Sequence, residues 1–161
     1  MSKAFIKEGE DHLRPSNPLP DRPIPAAPNL VTPDGLAKIE EMIDRLEEEQ
    51  REARASSNAD ALDRAARDLR YWSAQRASAR VMEPPAAGTE VQFGSTVLVE
   101  RADGQHQTYR IVGVDEADPS EGTISHISPL ARALLSKTVG DQVSVGRTDL
   151  RIRQIKSLCS H

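Results

Sequence analysis

The sequence predicts an α+β protein: an antiparallel helical hairpin followed by a small antiparallel sheet with one short helix. Three observations carry that expectation. Apolar residues recur at Leu36, Ile39, Ile43, Leu46 and Ala53, and again at Leu62, Ala65, Ala66, Leu69, Trp72, Ala77 and Val81, both with helical spacing. A run of small, turn-forming residues, Ala55-Ser56-Ser57-Asn58-Ala59, separates the two stretches. Beyond Gly88 the apolar period changes from helical to alternating.

Composition agrees with this division. The 161 residues allow one ordinary domain or two small ones. Charged residues make up 29% and aromatics 3%, which suits a charged helical segment beside a compact domain. A formal net charge of −4 argues against direct binding of a nucleic-acid backbone, which needs a basic stripe. A protein partner is the better expectation. Cys159 is the single cysteine, so no intramolecular disulfide can form, which fits a reducing compartment. The first ten residues lack the apolar core of a signal peptide, and no apolar run approaches a membrane span. The expectation is a cytoplasmic monomer with no membrane contact.

Residues 1–30 hold Pro15, Pro18, Pro20, Pro23, Pro25 and Pro28. Proline lacks a backbone donor and restricts its predecessor, so this stretch is expected to be an extended arm. Phe5 and Ile6 are its candidate anchors. Thr32-Pro33-Asp34 is a helix start: Thr caps, Pro suits the first helical position, and Asp complements the positive end of the helix. From Asp34 to Arg54 there are eight acids and four bases; from Asp60 to Val81 there are five arginines and three aspartates. An acidic helix followed by a basic one is expected to fold back with opposite charges flanking the seam. The hairpin is assigned to residues 31–84 and ends at the hinge Glu83-Pro84-Pro85. In residues 85–161, strands are expected at 96–99, 109–114, 123–127, 143–145 and 150–155. A short helix at 129–136 follows the cap Ser128.

The second half also carries specific segments. They are Phe93-Gly94-Ser95-Thr96-Val97, Tyr109-Arg110-Ile111-Val112-Gly113, Asp115-Glu116-Ala117-Asp118 and Ile124-Ser125. Ser128-Pro129-Leu130-Ala131-Arg132-Ala133-Leu134-Leu135 and Lys137-Thr138-Val139-Gly140-Asp141 follow. In this order and at these spacings they resemble the C-terminal domain of the Gre family of transcription elongation factors. The resemblance implies an FKBP-like sheet domain that docks on bacterial RNA polymerase. It also implies a coiled coil that enters the polymerase secondary channel, with nucleic acid met only through the transcription complex. Ser128, Pro129, Ala131 and Arg132 fall in the segment that resembles the polymerase-contacting surface. The chain would have no catalytic residues of its own.

In that family, acids at the hairpin tip help the polymerase hold a catalytic Mg²⁺, a hard cation that prefers oxygen ligands. Asp60 and Asp63 have the family's spacing of three residues and share a helix face. They also sit at a helix start, where aspartate is favoured in any protein. The hairpin is several turns shorter than the usual Gre hairpin, and each lost turn retracts the tip by about 5.4 Å. The resulting reading is a Gre-like regulator that binds polymerase and does not itself promote cleavage, with cleavage stimulation through a shared Mg²⁺ as the alternative.

Two further readings stay open at this stage. An FKBP-like peptidyl-prolyl isomerase would need an aromatic pocket, whereas residues 85–161 contain only Phe93 and Tyr109. A generic hairpin adaptor would bind some other protein. His12, His106, His126 and His161 are scattered, without the spacing of a zinc site. Tyr71 and Trp72 are expected to clamp the base of the hairpin; beside Arg67, Arg70 and Arg76 they could otherwise serve as a base-stacking platform.

Overall fold

The computed structural model describes residues 19–83, 85 and 88–156. Phe5, Ile6, His12, Pro15, Pro18, Pro84, Cys159 and His161 lie outside the described residues. The chain forms two compact units. One holds residues 19–24 and Glu40–Ala77; the other holds Pro25–Ile39 and everything described from Ser78 onward. No helix among the described residues is long and apolar enough to cross a membrane.

Helix α1 runs over Pro33–Ala55 and helix α2 over Ala59–Ser78. Ile39, Leu46 and Ala53, spaced by seven residues, are the buried apolar side chains of α1, as the apolar pattern predicts. On α2 the buried positions are Ala65, Tyr71 and Gln75, while Trp72 is half-buried and Ala77 exposed. The expected seam through Trp72 and Ala77 is therefore shifted by one to two residues. Arg76 Nε lies 3.5 Å from Glu40 Oε1, joining the end of one helix to the beginning of the other. The expected opposite-charge seam is otherwise thin. Arg45 pairs with Glu49 and Arg51 with Glu48 within α1, on surfaces where such pairs contribute only about 0.2–1 kcal/mol.

Val81 is not helical, as its place in the apolar series suggested. It belongs to a two-residue strand, β2 (Arg80–Val81), which pairs in parallel with β1 (Leu30–Val31). Arg80 N donates to Asn29 O at 2.8 Å and Met82 N to Val31 O at 2.8 Å. The backbone donors that would have extended α2 go to β1 instead. This pairing joins β1 to residues just beyond α2, within the sheet unit.

The main sheet has five strands: β3 (Thr96–Arg101), β4 (His106–Val112), β5 (Thr123–Ser125), β6 (Gln142–Val145) and β7 (Thr148–Lys156). Their spatial order is β5-β4-β3-β7-β6. All five were expected, but the sheet is mixed rather than antiparallel, because β5 runs parallel to β4. Residues 113–122 form the crossover that carries the chain back for parallel pairing. The crossover holds a 3₁₀ turn, Pro119–Glu121, capped by Asp118. Alternation places Val97, Val99, Ile111 and Ile152 on one face, each at or near zero exposure. Helix α3 (Pro129–Leu134) covers that face with Ala131 and Leu134. Val91 and Phe93 close the same core.

The start of α1 is held by a carboxylate distant in sequence. Thr32 caps the helix as expected: Gly35 N donates to Thr32 Oγ1 at 3.0 Å. A capping box would place Glu or Gln where Gly35 stands, three residues after the cap, to accept from the Thr32 N–H. Here Glu116, 84 residues away, supplies that carboxylate. Its Oε2 accepts from Thr32 N at 3.0 Å and from Gly113 N at 3.0 Å, and its Oε1 accepts from the Thr32 hydroxyl. Gly35 makes room: a Cβ there would lie 2.2 Å from the Glu116 Cδ.

An exposed helical glycine gains about 1 kcal/mol on replacement by alanine. Gly35→Ala should do the reverse. It should lower unfolding free energy by about 1–3 kcal/mol, because Glu116 must abandon its donors. Urea denaturation checks this, and a stabilised variant would contradict the assignment.

Candidate protein-docking site

Two sets of residues were singled out as functional, and they lie in different units. The first is the hairpin tip. The turn between α1 and α2 is Ser56-Ser57-Asn58. Asn58 N donates to Ala53 O at 2.9 Å and Ser57 N to Arg54 O at 3.2 Å, with Ser57 in the left-handed region at φ 54°. This pair of bonds closes the C-terminus of α1 as a Schellman motif. Asn58 then starts α2: its Oδ1 accepts from Ala61 N at 3.1 Å. Asp60 follows as the second residue of α2 and is exposed; Asp63 is half-buried one turn further on. The tip itself thus presents Ser56, Ser57 and Asn58, and the two acids come after it. Among the described residues no group of three or more His, Cys, Asp or Glu side chains could hold a metal ion. Magnesium at this tip would need ligands from another molecule.

The second set surrounds the start of α3. Ser128 has extended backbone, and its Oγ accepts from Ala131 N at 3.2 Å. Arg132 N donates to Ser128 O at 3.0 Å, and Ser128 N donates to Ser125 O at 2.9 Å. The segment is thereby fixed at both ends, with Pro129 pre-setting the first helical φ. Pro129 and Arg132 are exposed and Ser128 is half-buried. Ala131 has no exposed surface and packs in the core. Of the four residues named from the sequence, Ala131 therefore serves packing, and Ser128, Pro129 and Arg132 provide the surface. Ile127 is half-buried beside them.

Sequence reasoning gave His126 no role, yet it lies against this segment. Its ring meets Phe93 edge-on, with centroids 5.5 Å apart and planes at 78°. Its Nε2 is buried without a hydrogen-bond partner. Burial pushes the imidazole below its ordinary value of 6.5, and the Arg132 charge acts in the same direction. The motif residues flanking the segment have local duties. Asp141 accepts from Thr138 N at 2.8 Å and from Thr138 Oγ1 at 3.1 Å, and these bonds hold its carboxyl below the usual range. Asp118 is lowered in the same way by Ser120. The acid that sequence reasoning undervalued is Glu116. Its signal was Gly35, a glycine where a capping box wants a carboxylate.

The fold and this surface define a class: an α+β chain with a helical hairpin and a five-stranded sheet domain that presents a capped, proline-started helix. Residues 86–156 match the family model of the transcription elongation factor GreA/GreB C-terminal domain. Within those residues the chain carries a domain similar to that of the GreA/GreB family. Among curated relatives, GreA of Desulfovibrio desulfuricans is 44% identical over 79 residues, covering 48% of this chain and 49% of that protein. GreB of Neisseria meningitidis is 38% identical over 96 residues, covering 56% and 59%. The chain thus spans about half the length of the curated relatives it matches. GreA factor homolog 1 of Thermus thermophilus is a solved structure that covers 81% of this chain and 99% of its own, at 21% identity and a TM-score of 0.40. That likeness is too distant to transfer anything to this chain.

His126 yields a pH signature. The unfolded chain takes up its proton near the ordinary value of 6.5, and the folded chain only at lower pH. The stability contributed by neutral His126 is therefore complete above that value and is lost as pH falls through the window beneath it. Denaturant midpoints should fall as pH is lowered below about 6.5, and less so in His126→Leu. Equal pH dependence in the two proteins would contradict the role of this ring.

Proposed function

We propose that this chain is a Gre-type transcription factor that docks its sheet domain on RNA polymerase and extends its hairpin toward the secondary channel. The observation that carries the reading is the GreA/GreB domain at residues 86–156, with Ser128, Pro129 and Arg132 on its surface. The rigid cap at Ser128 favours docking, since a surface held in one conformation loses little entropy when a partner binds. The low aromatic content of residues 85–161 disfavours an isomerase pocket.

Within that reading we favour a regulator that does not promote RNA cleavage. The helices of the hairpin have 23 and 20 residues, a reach of roughly 30–35 Å at 1.5 Å per residue. A finger several turns shorter than the family's usual one places its acids short of the site those acids would serve. Metal ligation tolerates errors of only about 0.2 Å. Asp60 at the start of α2 also has an ordinary explanation in the helix dipole. The reading of Asp60 and Asp63 as magnesium contacts rests on their spacing alone.

Two variants test these statements separately. Ser128→Glu with Pro129→Ala should weaken capture of core RNA polymerase about tenfold, a loss of about 1.4 kcal/mol, while circular dichroism stays native. Undiminished capture by the folded variant would remove the docking assignment. Asp60→Ala with Asp63→Ala should leave both polymerase affinity and the effect on transcript elongation unchanged. An altered elongation profile at unchanged affinity would instead assign the acids a chemical role.

A further inference from the structure

Residues 19–24 have neither helix nor strand, yet they are fastened to α2. Arg70 Nε donates to Asp21 Oδ1 at 2.6 Å. Arg22 lies 3.6 Å from Asp68 Oδ1, and its guanidinium stands 3.9 Å over the Tyr71 ring and 5.7 Å from the Trp72 ring. The two rings meet edge to face at 5.2 Å. Pro20 and Pro23 flank the Asp21-Arg22 pair. This is the arrangement by which aromatic surfaces recognise extended proline-bearing peptides, with an arginine stacked on the rings and paired to a carboxylate. Proline on both sides limits the freedom the segment loses on docking.

We propose that Asp68, Arg70, Tyr71 and Trp72 form a binding face for an extended Pro-Asp-Arg-Pro segment, occupied in cis by this chain's own residues 20–23 as a releasable strap. The contacts are of the releasable kind. The Asp21 side chain is 72% exposed and the Arg70 side chain 51%, so salt screens their attraction. With the strap closed, Arg22 covers the aromatic pair; with it open, the face is offered to a segment of the same chemistry. Docking of the sheet domain on polymerase plays no part in this proposal.

Trp72 is the only tryptophan, so its emission reports on the strap directly. Acrylamide quenching would be measured on the full-length chain and on Arg22→Ala. At low salt the variant should quench about twice as strongly as the wild type. Raising salt should bring the wild type toward the variant and leave the variant little changed. A synthetic peptide of residues 19–24 should restore protection to Arg22→Ala, and the same peptide with alanine for arginine should not. Reversing the ion pair, Asp21→Arg with Arg70→Asp, should keep the strap closed when both changes are present and open it when either is made alone. Equal quenching of wild type and Arg22→Ala at low salt would overturn the proposal. Protection that grows with protein concentration would overturn occupancy in cis, because the strap would then come from a second copy.

Discussion

One carboxylate, that of Glu116, ties together parts of the sheet unit that sequence keeps far apart. It accepts from the Thr32 backbone and hydroxyl and from Gly113 N, just after β4. It thereby completes the cap on α1 that Gly35, lacking a side chain, cannot supply. It links the residue that follows β1 and caps α1 to the residue that follows β4. Its surroundings are tightly filled: Thr32 is 2% exposed, and a Cβ at Gly113 would lie 2.6 Å from Leu30 O. No other residue type reaches all three donors with an acceptor-only group of this length.

The segment proposed for docking rests on a comparable division of labour. Ala131 and Leu134 face the core of the sheet, so the segment cannot shift without opening that core. Ser128 satisfies a backbone donor that the helix start would leave unpaired. What is left for a partner is an exposed proline, an arginine and a half-buried serine, held by neighbours that never reach the surface. His126 adds a condition, since its neutral ring is part of the packing beneath this surface.

Features set by near neighbours were legible in the sequence. Thr32 and Ser128 act as caps where pattern alone placed them, and Ile39, Leu46 and Ala53 follow the heptad. The β-strands were found by alternation, although the direction of β5 was not, because alternation is blind to direction. Features created by distant partners were missed. Nothing near Glu116 in sequence announces Thr32, and a two-residue strand such as β2 leaves no periodic trace. Val81 was therefore read as one more helical apolar position. On α2 an aromatic neighbour misled the pattern: Tyr71 rather than Trp72 takes the buried place, and Trp72 turns partly outward beside Arg22. The candidate segment was chosen by its motif, and Ala131, buried in the core, shows that a motif mixes surface residues with those that support them.

The proposed function depends on reach. Helix length converts directly into distance, and a short finger on a Gre-type domain separates occupying a channel from doing chemistry at its end. The most direct measurement is RNA release from a stalled, backtracked polymerase complex, with the wild-type chain alone and then in competition with a cleavage-active GreA. The expected result is no short RNA from the chain alone and slower release by GreA as the chain is added. Rapid release of short RNA by the chain alone would contradict the proposal.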